Sequence, residues 1–229
     1  GPDTSVDYKG HPLSLRDHYF KYAYMFEPQV YTYKNKADET MSYWHMQTVI
    51  ENDDTIFISS IYDDDLNLTA TTKERIDSNG ITLVEYTRHL DGIAYDGKVM
   101  EGEMFRWDPT DRSRLKYSIE FDFDSVTEVI SRKRRFLEFA EGYHPQAKFR
   151  DDFVITYNEK GADPDSATSV SFYQHSYFAT KRGIINYNRY VVGNSTVEVW
   201  KTGRMNADEW AAKLAEKEVE EAAGIDVPE

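Results

Sequence analysis

The chain has 229 residues, no cysteine and a formal net charge of −14, from 41 acidic and 27 basic residues. An acidic surface repels phosphate groups, so nucleic acid is not the expected partner. The absence of cysteine excludes disulfides, thiolate nucleophiles and cysteine-bound zinc. No run of about 18 apolar residues occurs, so we expect a soluble protein without a transmembrane segment.

The start of the chain is predicted to lie outside the folded part. Gly1-Pro2 resembles the scar of a removed tag, and residues 1–15 show little periodicity, so a flexible lead-in is expected there. Residues 16–229 contain no linker and no repeat of fixed period, which predicts one domain. A cysteine-free chain suits a periplasmic protein, or one anchored through a trimmed leader; a cytoplasmic location is the alternative.

Fourteen runs of strand-forming residues follow in chain order, separated by turn signals. They cover 18–26, 30–34, 41–50, 55–62, 66–76, 81–90, 99–107, 115–123, 126–130, 136–140, 149–157, 169–178, 184–192 and 196–201. Asn79-Gly80 between two runs is a strong hairpin signal. In the first run, Phe20, Tyr22 and Tyr24 alternate as they would on one face of a strand.

The end of the chain predicts a helix over residues 207–223, which are strong helix formers. Asn206 and Glu209 have the spacing of a capping box. Trp210 and Leu214 lie on an apolar stripe at helical spacing.

Short strands with frequent reversals favour an antiparallel meander. About a dozen strands curl or split rather than stay flat. We therefore predict a mainly β fold: a single curled antiparallel sheet, as a half-barrel or barrel of roughly 10–13 strands. The helix is expected across its concave face or an open end. A two-sheet β-sandwich is the alternative.

The aromatic content is 14%, with 17 Tyr, 12 Phe and 4 Trp. Several strands carry apolar residues on both faces, which indicates covered faces or an internal cavity for an apolar ligand. The residues predicted to line that cavity are Phe20, Tyr22, Tyr24, Trp44, Tyr86, Tyr117, Phe121 and Phe172. An ordinary hydrophobic core would use the same residue types.

The basic cluster Arg132, Lys133, Arg134 and Arg135 stands out in an acidic chain. It is predicted to form a turn between the runs 126–130 and 136–140. There it would contact an anion or an acidic protein partner.

Three histidines, His45, His89 and His175, fall within predicted strands and would meet only in a rolled sheet. No two histidines have the spacing of a local metal pair, so neither a metal nor a cofactor is predicted.

By analogy with envelope carriers that use curled sheets, we expect a non-enzymatic extracytoplasmic protein that holds an apolar ligand on its inner face. One alternative is a structural or adaptor subunit that binds another protein. The other is a barrel-type isomerase, lyase or hydrolase that uses a carboxylate/histidine pair.

Overall fold

The computed structural model describes residues 15–20, 22–108, 115–123, 126–140, 154–162, 170–179, 181–191, 193 and 196–225. For residues 126, 132–140, 154–162, 170–172, 191 and 225 only the backbone is described. The predicted flexible lead-in lies outside the described residues, except for Leu15. Leu15 is fully buried and therefore belongs to the folded part.

The described chain contains twelve antiparallel strands, which form one sheet that closes into a barrel. The strands are β1 (Gln29–Asn35), β2 (Met41–Glu51), β3 (Asp54–Tyr62), β4 (Leu68–Ile76), β5 (Gly80–Leu90), β6 (Ile93–Arg106), β7 (Leu115–Phe123), β8 (Val126–Ala140), β9 (Val154–Ala162), β10 (Val170–Ala179), β11 (Gly183–Val191) and β12 (Val197–Asn206). Each strand pairs with its sequence neighbour, and β1 pairs with β12 to close the ring. The predicted curled meander, expected as a half-barrel or a barrel, is confirmed, and the sandwich alternative is wrong.

The basic cluster does not form the predicted turn. Residues 132–135 lie inside β8, which pairs with β7 from Val126 opposite Phe123 to Arg134 opposite Leu115. The same strand also pairs with β9 along its other edge. The turn prediction failed because charge alone is a weak turn signal. This segment has no glycine, proline or asparagine to favour a reversal.

A ring of twelve strands is wide. Inward side chains just fill a barrel of about eight strands, and the diameter grows with strand number. The outer wall faces water and carries ion pairs, such as Lys73 with Glu51 and Glu85, both at 3.3 Å. Because twelve strands enclose more space than their inward side chains fill, the interior must hold further material or contain a cavity.

Part of that material is the segment before β1. Residues 15–20 and 22–25, here called the plug, enter one end of the barrel. They include two short 3-10 helices, Leu15–Asp17 and Tyr22–Tyr24. We call this end the plug end and the opposite one the far end.

The plug is fixed by backbone hydrogen bonds to strand ends. The Leu15 amide donates to the Trp107 carbonyl at 2.9 Å, and the Thr48 amide donates to the Met25 carbonyl at 2.8 Å. The ring of Tyr19 packs among the aromatic side chains of the strands. Its centroid lies 5.8 Å from that of Phe57 and 5.5 Å from that of Phe105. Because these residues are buried, the plug is part of the core rather than a loose arm.

The strand predicted over residues 18–26 is therefore wrong. Its alternating aromatics do not share a face: Phe20 is buried, whereas Tyr24 is 77% exposed and Phe26 is 52% exposed. The pairing of β1 with β12 leaves no sheet edge for a further strand. The segment instead fills part of the interior volume that the inward side chains of the strands leave unoccupied.

The helix α1 (Ala207–Ile225) confirms the predicted helix, and its capping box is formed. The Glu209 amide donates to Asn206 Oδ1 at 2.8 Å, and the Asn206 amide donates to Glu209 Oε1 at 3.2 Å. The predicted place of α1 is wrong, because it packs on the outer wall. Trp210 contacts Tyr43 and Tyr62, at 5.6 and 5.0 Å between ring centroids. The plug already occupies one end of the barrel, and apolar outward residues of β1–β3 offer the helix a surface.

No helix within the described residues is long and apolar enough to cross a membrane.

The plug predicts a matched pair of glycine variants. Gly183 and Gly193 both have positive φ, +71° and +86°, but only a methyl group at Gly183 would overlap the ring of Phe20. Gly193→Ala should cost about 1 kcal/mol in the free energy of unfolding, from backbone strain alone. Gly183→Ala should cost about 1–3 kcal/mol more, from displacement of the plug. Urea unfolding measures both, and equal losses would contradict the packing of Phe20 against this turn.

Candidate functional site

The barrel interior contains a cavity of about 340 Å³ between the plug and the far end. That volume lies at the lower end of the range of small-molecule sites, which is about 300–1,000 Å³. Side chains from the plug and eight strands line it: Tyr19, Phe20, Ser42, Trp44, Ser59, Ile61, Thr72, Glu74, Ile81, Leu83, Tyr86, Met104, Phe105, Tyr117, Gln174, Ser176, Phe178, Ile184, Tyr187 and Arg189. We call this space the barrel cavity.

Strand alternation explains which residues reach the barrel cavity. Successive side chains in a strand point to opposite faces, so every second residue of a strand lines the interior. On β10 the inward series is Phe178, Ser176 and Gln174, read from the plug end to the far end. On β11 it is Ile184, Tyr187 and Arg189. A bulge after Ile184 shifts the alternation by one residue, so Tyr187 and Arg189 face inward together with Ile184. Both strands thus change from apolar to polar away from the plug.

The plug and the wall meet at a buried carboxylate. The Tyr19 hydroxyl donates a hydrogen bond to Glu74 Oε2 at 2.6 Å, and Glu74 is only 5% exposed. A buried carboxyl group needs such a partner, because it has lost its hydrogen bonds to bulk water. This bond joins the plug to β4 at the plug end of the barrel cavity, which we call its floor.

Four of the aromatic residues predicted to line an inner cavity do so: Phe20, Trp44, Tyr86 and Tyr117. Phe121 is fully buried, but it lies in a neighbouring cluster, with its ring 5.7 Å from that of Tyr86.

The other three predicted residues lie elsewhere or outside the description. The half-buried Tyr22 stacks on Trp107 at 6.3 Å and does not line the cavity. Tyr24 is on the surface, because the segment that carries it turns out of the barrel. Phe172 lies in β10, and its side chain is outside the described part of the structure.

The three histidines in predicted strands, which could converge only in a rolled sheet, do not reach the cavity. His45 follows the lining residue Trp44, and His175 lies between the lining residues Gln174 and Ser176. By strand alternation both point to the outer wall. His89 likewise follows Arg88, whose guanidinium lies over the inward ring of Phe121. None of the described lining residues is a histidine, so the barrel cavity contains no carboxylate/histidine pair among them.

Among the described side chains, neither a group of metal ligands nor the basic cluster contributes to the barrel cavity. Within the part of the chain that the structure describes, no three His, Asp or Glu side chains converge as metal ligands would. The side chains of Arg132, Lys133, Arg134 and Arg135 are outside that part, and only their places in β8 are known.

Sequence reasoning missed the polar lining, which includes Glu74, Gln174, Ser176 and Arg189. A usable signal was present, because Gln174 and Ser176 share strand parity with Phe178, and Arg189 shares it with Tyr187. Polar residues in phase with buried aromatics indicate a partly polar interior.

Comparisons with known proteins give no family. No protein-family model matches the chain, and no curated protein matches it. The chain is similar to a solved structure described as a "putative lipoprotein from Parabacteroides distasonis ATCC 8503". The TM-score is 0.48 and the identity 9%, over 82% of this chain and 98% of that chain.

The Tyr19–Glu74 bond predicts a specific stability loss. Tyr19→Phe keeps the ring and removes the hydroxyl, and a buried acceptor left without its donor costs about 1–3 kcal/mol. We expect a loss of that size in the free energy of unfolding, measured in urea. The control is Tyr24→Phe on the exposed side of the plug, expected within about 0.5 kcal/mol of the wild type. Equal effects of the two variants would contradict the role of this bond.

His45 predicts a pH dependence of stability. Burial lowers the pKa of His45, because desolvation disfavours the charged imidazole, and a backbone hydrogen bond offsets part of this effect. The unfolded chain therefore binds a proton near pH 6.5 that the folded chain does not, which lowers stability as the pH falls through that value.

His45→Asn should remove this contribution. Its unfolding free energy, measured in urea between about pH 8 and 5, should fall less steeply than that of the wild type. Parallel curves for the two proteins would contradict the burial of His45 in an uncharged form.

Proposed function

We propose that this protein is a non-enzymatic binding or carrier protein, which holds a small apolar molecule inside the barrel. The observation that carries the proposal is the barrel cavity itself, a space of about 340 Å³ lined by Phe20, Trp44, Tyr86 and Tyr117 together with aliphatic residues. Small-molecule sites are typically concave and mostly apolar, with a few placed polar groups.

The closed wall and the fixed floor support a carrier over a surface binder. All twelve strands are paired, so the wall offers a permanent enclosure rather than a groove. The plug closes one end through Tyr19 and Phe20, which are buried against the strands. A pre-formed enclosure lowers the ordering cost of binding, because neither the wall nor the floor has to fold around the ligand.

The absence of a carboxylate/histidine pair among the described lining residues favours binding without chemistry. An extracytoplasmic location is part of the proposal and rests on the cysteine-free composition. Fractionation of the source cells tests it, and a cytosolic pool alone would contradict it.

The carrier function predicts that filling the barrel cavity abolishes binding. Ser59 on β3 lines the cavity, and its neighbour Ser60 has the opposite strand parity. Ser59→Phe should weaken binding of the neutral fluorescent probe N-phenylnaphthylamine at least about tenfold, because the new ring occupies the space. Ser60→Phe adds the same ring to the outer wall and should leave binding unchanged.

A second pair of variants on β4 repeats the test. Thr72→Phe fills the barrel cavity, and Thr71→Phe is its outer control. Circular dichroism and urea unfolding establish that each variant is folded. Probe binding that survives both inner variants would contradict an interior site and favour the adaptor alternative, in which the outer surface binds a partner.

A further inference from the structure

We infer that the molecule held in the barrel cavity is an amphipathic carboxylic acid, with its hydrocarbon part on the plug and its carboxylate beside Arg189. This inference rests on the proposed function and specifies the ligand class. The reason is the order of the side chains along β10 and β11, which places Arg189 and Gln174 on the far-end side of the cavity and apolar side chains at the plug end.

The polar side is built from two adjacent strands. Arg189 on β11 lies directly opposite Gln174 on β10 in the ladder, and both line the barrel cavity. The Gln174 side-chain amide donates to Ser176 Oγ at 3.1 Å, which fixes that side chain along the wall. The next inward residue of β11 is Tyr187, whose ring also lines the space. Together they form a donor-rich patch on the far-end side.

The charge of Arg189 acts inside this space. Burial raises the pKa of Tyr187, and the nearby Arg189 guanidinium offsets part of that rise. Tyr187 therefore remains a neutral hydroxyl at physiological pH, available to a ligand as a hydrogen-bond donor. A carboxylate at this place would find a cation and neutral donors together.

The apolar side is the floor. Phe178 and Ile184 face each other across the ladder at the plug ends of the same two strands. The ring of Phe178 lies 6.4 Å from that of Phe20 and 5.6 Å from that of Phe105. A hydrocarbon chain or ring placed here loses its contact with water and gains aromatic contacts.

A carboxylate fits Arg189 better than a neutral head group does. The planar guanidinium presents five donors in a fork that matches two carboxylate oxygens, so it can bind a ligand while also contacting a protein group. The acidic lining residue Glu74 belongs to β4, which lies on the opposite wall of the twelve-strand ring from β11, and it accepts the Tyr19 hydroxyl. The ligand carboxylate at Arg189 is thus separated from the buried carboxylate of the protein.

The test compares two ligands with the same tail. Decanoate and decanol are titrated calorimetrically into the wild type, Arg189→Met and Arg75→Met. Arg75 is the matched control, since it follows the inward Glu74 on β4 and points to the outer wall. Decanoate should bind the wild type at least about tenfold more tightly than decanol. Arg189→Met should remove that difference by weakening decanoate alone, and Arg75→Met should change neither ligand.

The outcomes separate this inference from the proposed function. If decanol binds as tightly as decanoate, and Arg189→Met affects neither, the acidic head group is wrong while the apolar site stands. If decanoate, decanol and the neutral fluorescent probe all fail to bind the folded wild type, the proposed function itself falls. Loss of decanoate binding in Arg75→Met as well would show a general charge effect and overturn the role of Arg189. Should Arg189→Met fail to fold, Arg189→Lys keeps the charge without the fork and is expected to weaken decanoate only.

Discussion

The interior width of a closed ring of twelve strands is the constraint on which the rest of this structure depends. Side chains alone fill a barrel of about eight strands, so a wider ring leaves volume to be occupied. Here the plug takes the volume at one end, and aromatic clusters take part of the rest. What remains is the barrel cavity, so site and core share one origin in strand number.

This origin explains why the plug and the cavity share residues. Tyr19 and Phe20 complete the core at the plug end and also form the floor of the cavity. The bond from Tyr19 to Glu74 ties that floor to β4. A change that loosens the plug is therefore expected to alter both stability and ligand binding, because the same side chains serve both.

Local patterns predicted the strands well for a physical reason. Alternation and turn residues are read within a few positions, and antiparallel neighbours need only short connections, so Leu115–Phe123 could be placed from its own alternation. The capping box of α1 could be predicted too, since Asn206 and Glu209 are three residues apart.

Two of the failures involve contacts between distant residues. Phe20, Tyr22 and Tyr24 satisfy a strand pattern, yet their conformation depends on a space enclosed by strands that follow later in the chain. The outer position of α1 depends on Tyr43 and Tyr62, which the helix meets only after the ring has closed.

The candidate site was partly predictable for the same reasons. Trp44, Tyr86 and Tyr117 were placed inside by their residue type and strand alternation. Arg189 and Glu74 were missed because charged residues are rarely buried, and composition favours a place on the surface.

The central claim is that a small molecule binds inside the barrel, between the plug and the polar patch. Its most direct test is a crystal structure of the protein soaked with a fatty acid that is brominated at the end of its tail. The account predicts an anomalous bromine peak inside the barrel, close to Phe20 and Phe178, with the carboxylate on Arg189. A bromine peak on the outer wall, with no ligand inside the barrel, would contradict the account.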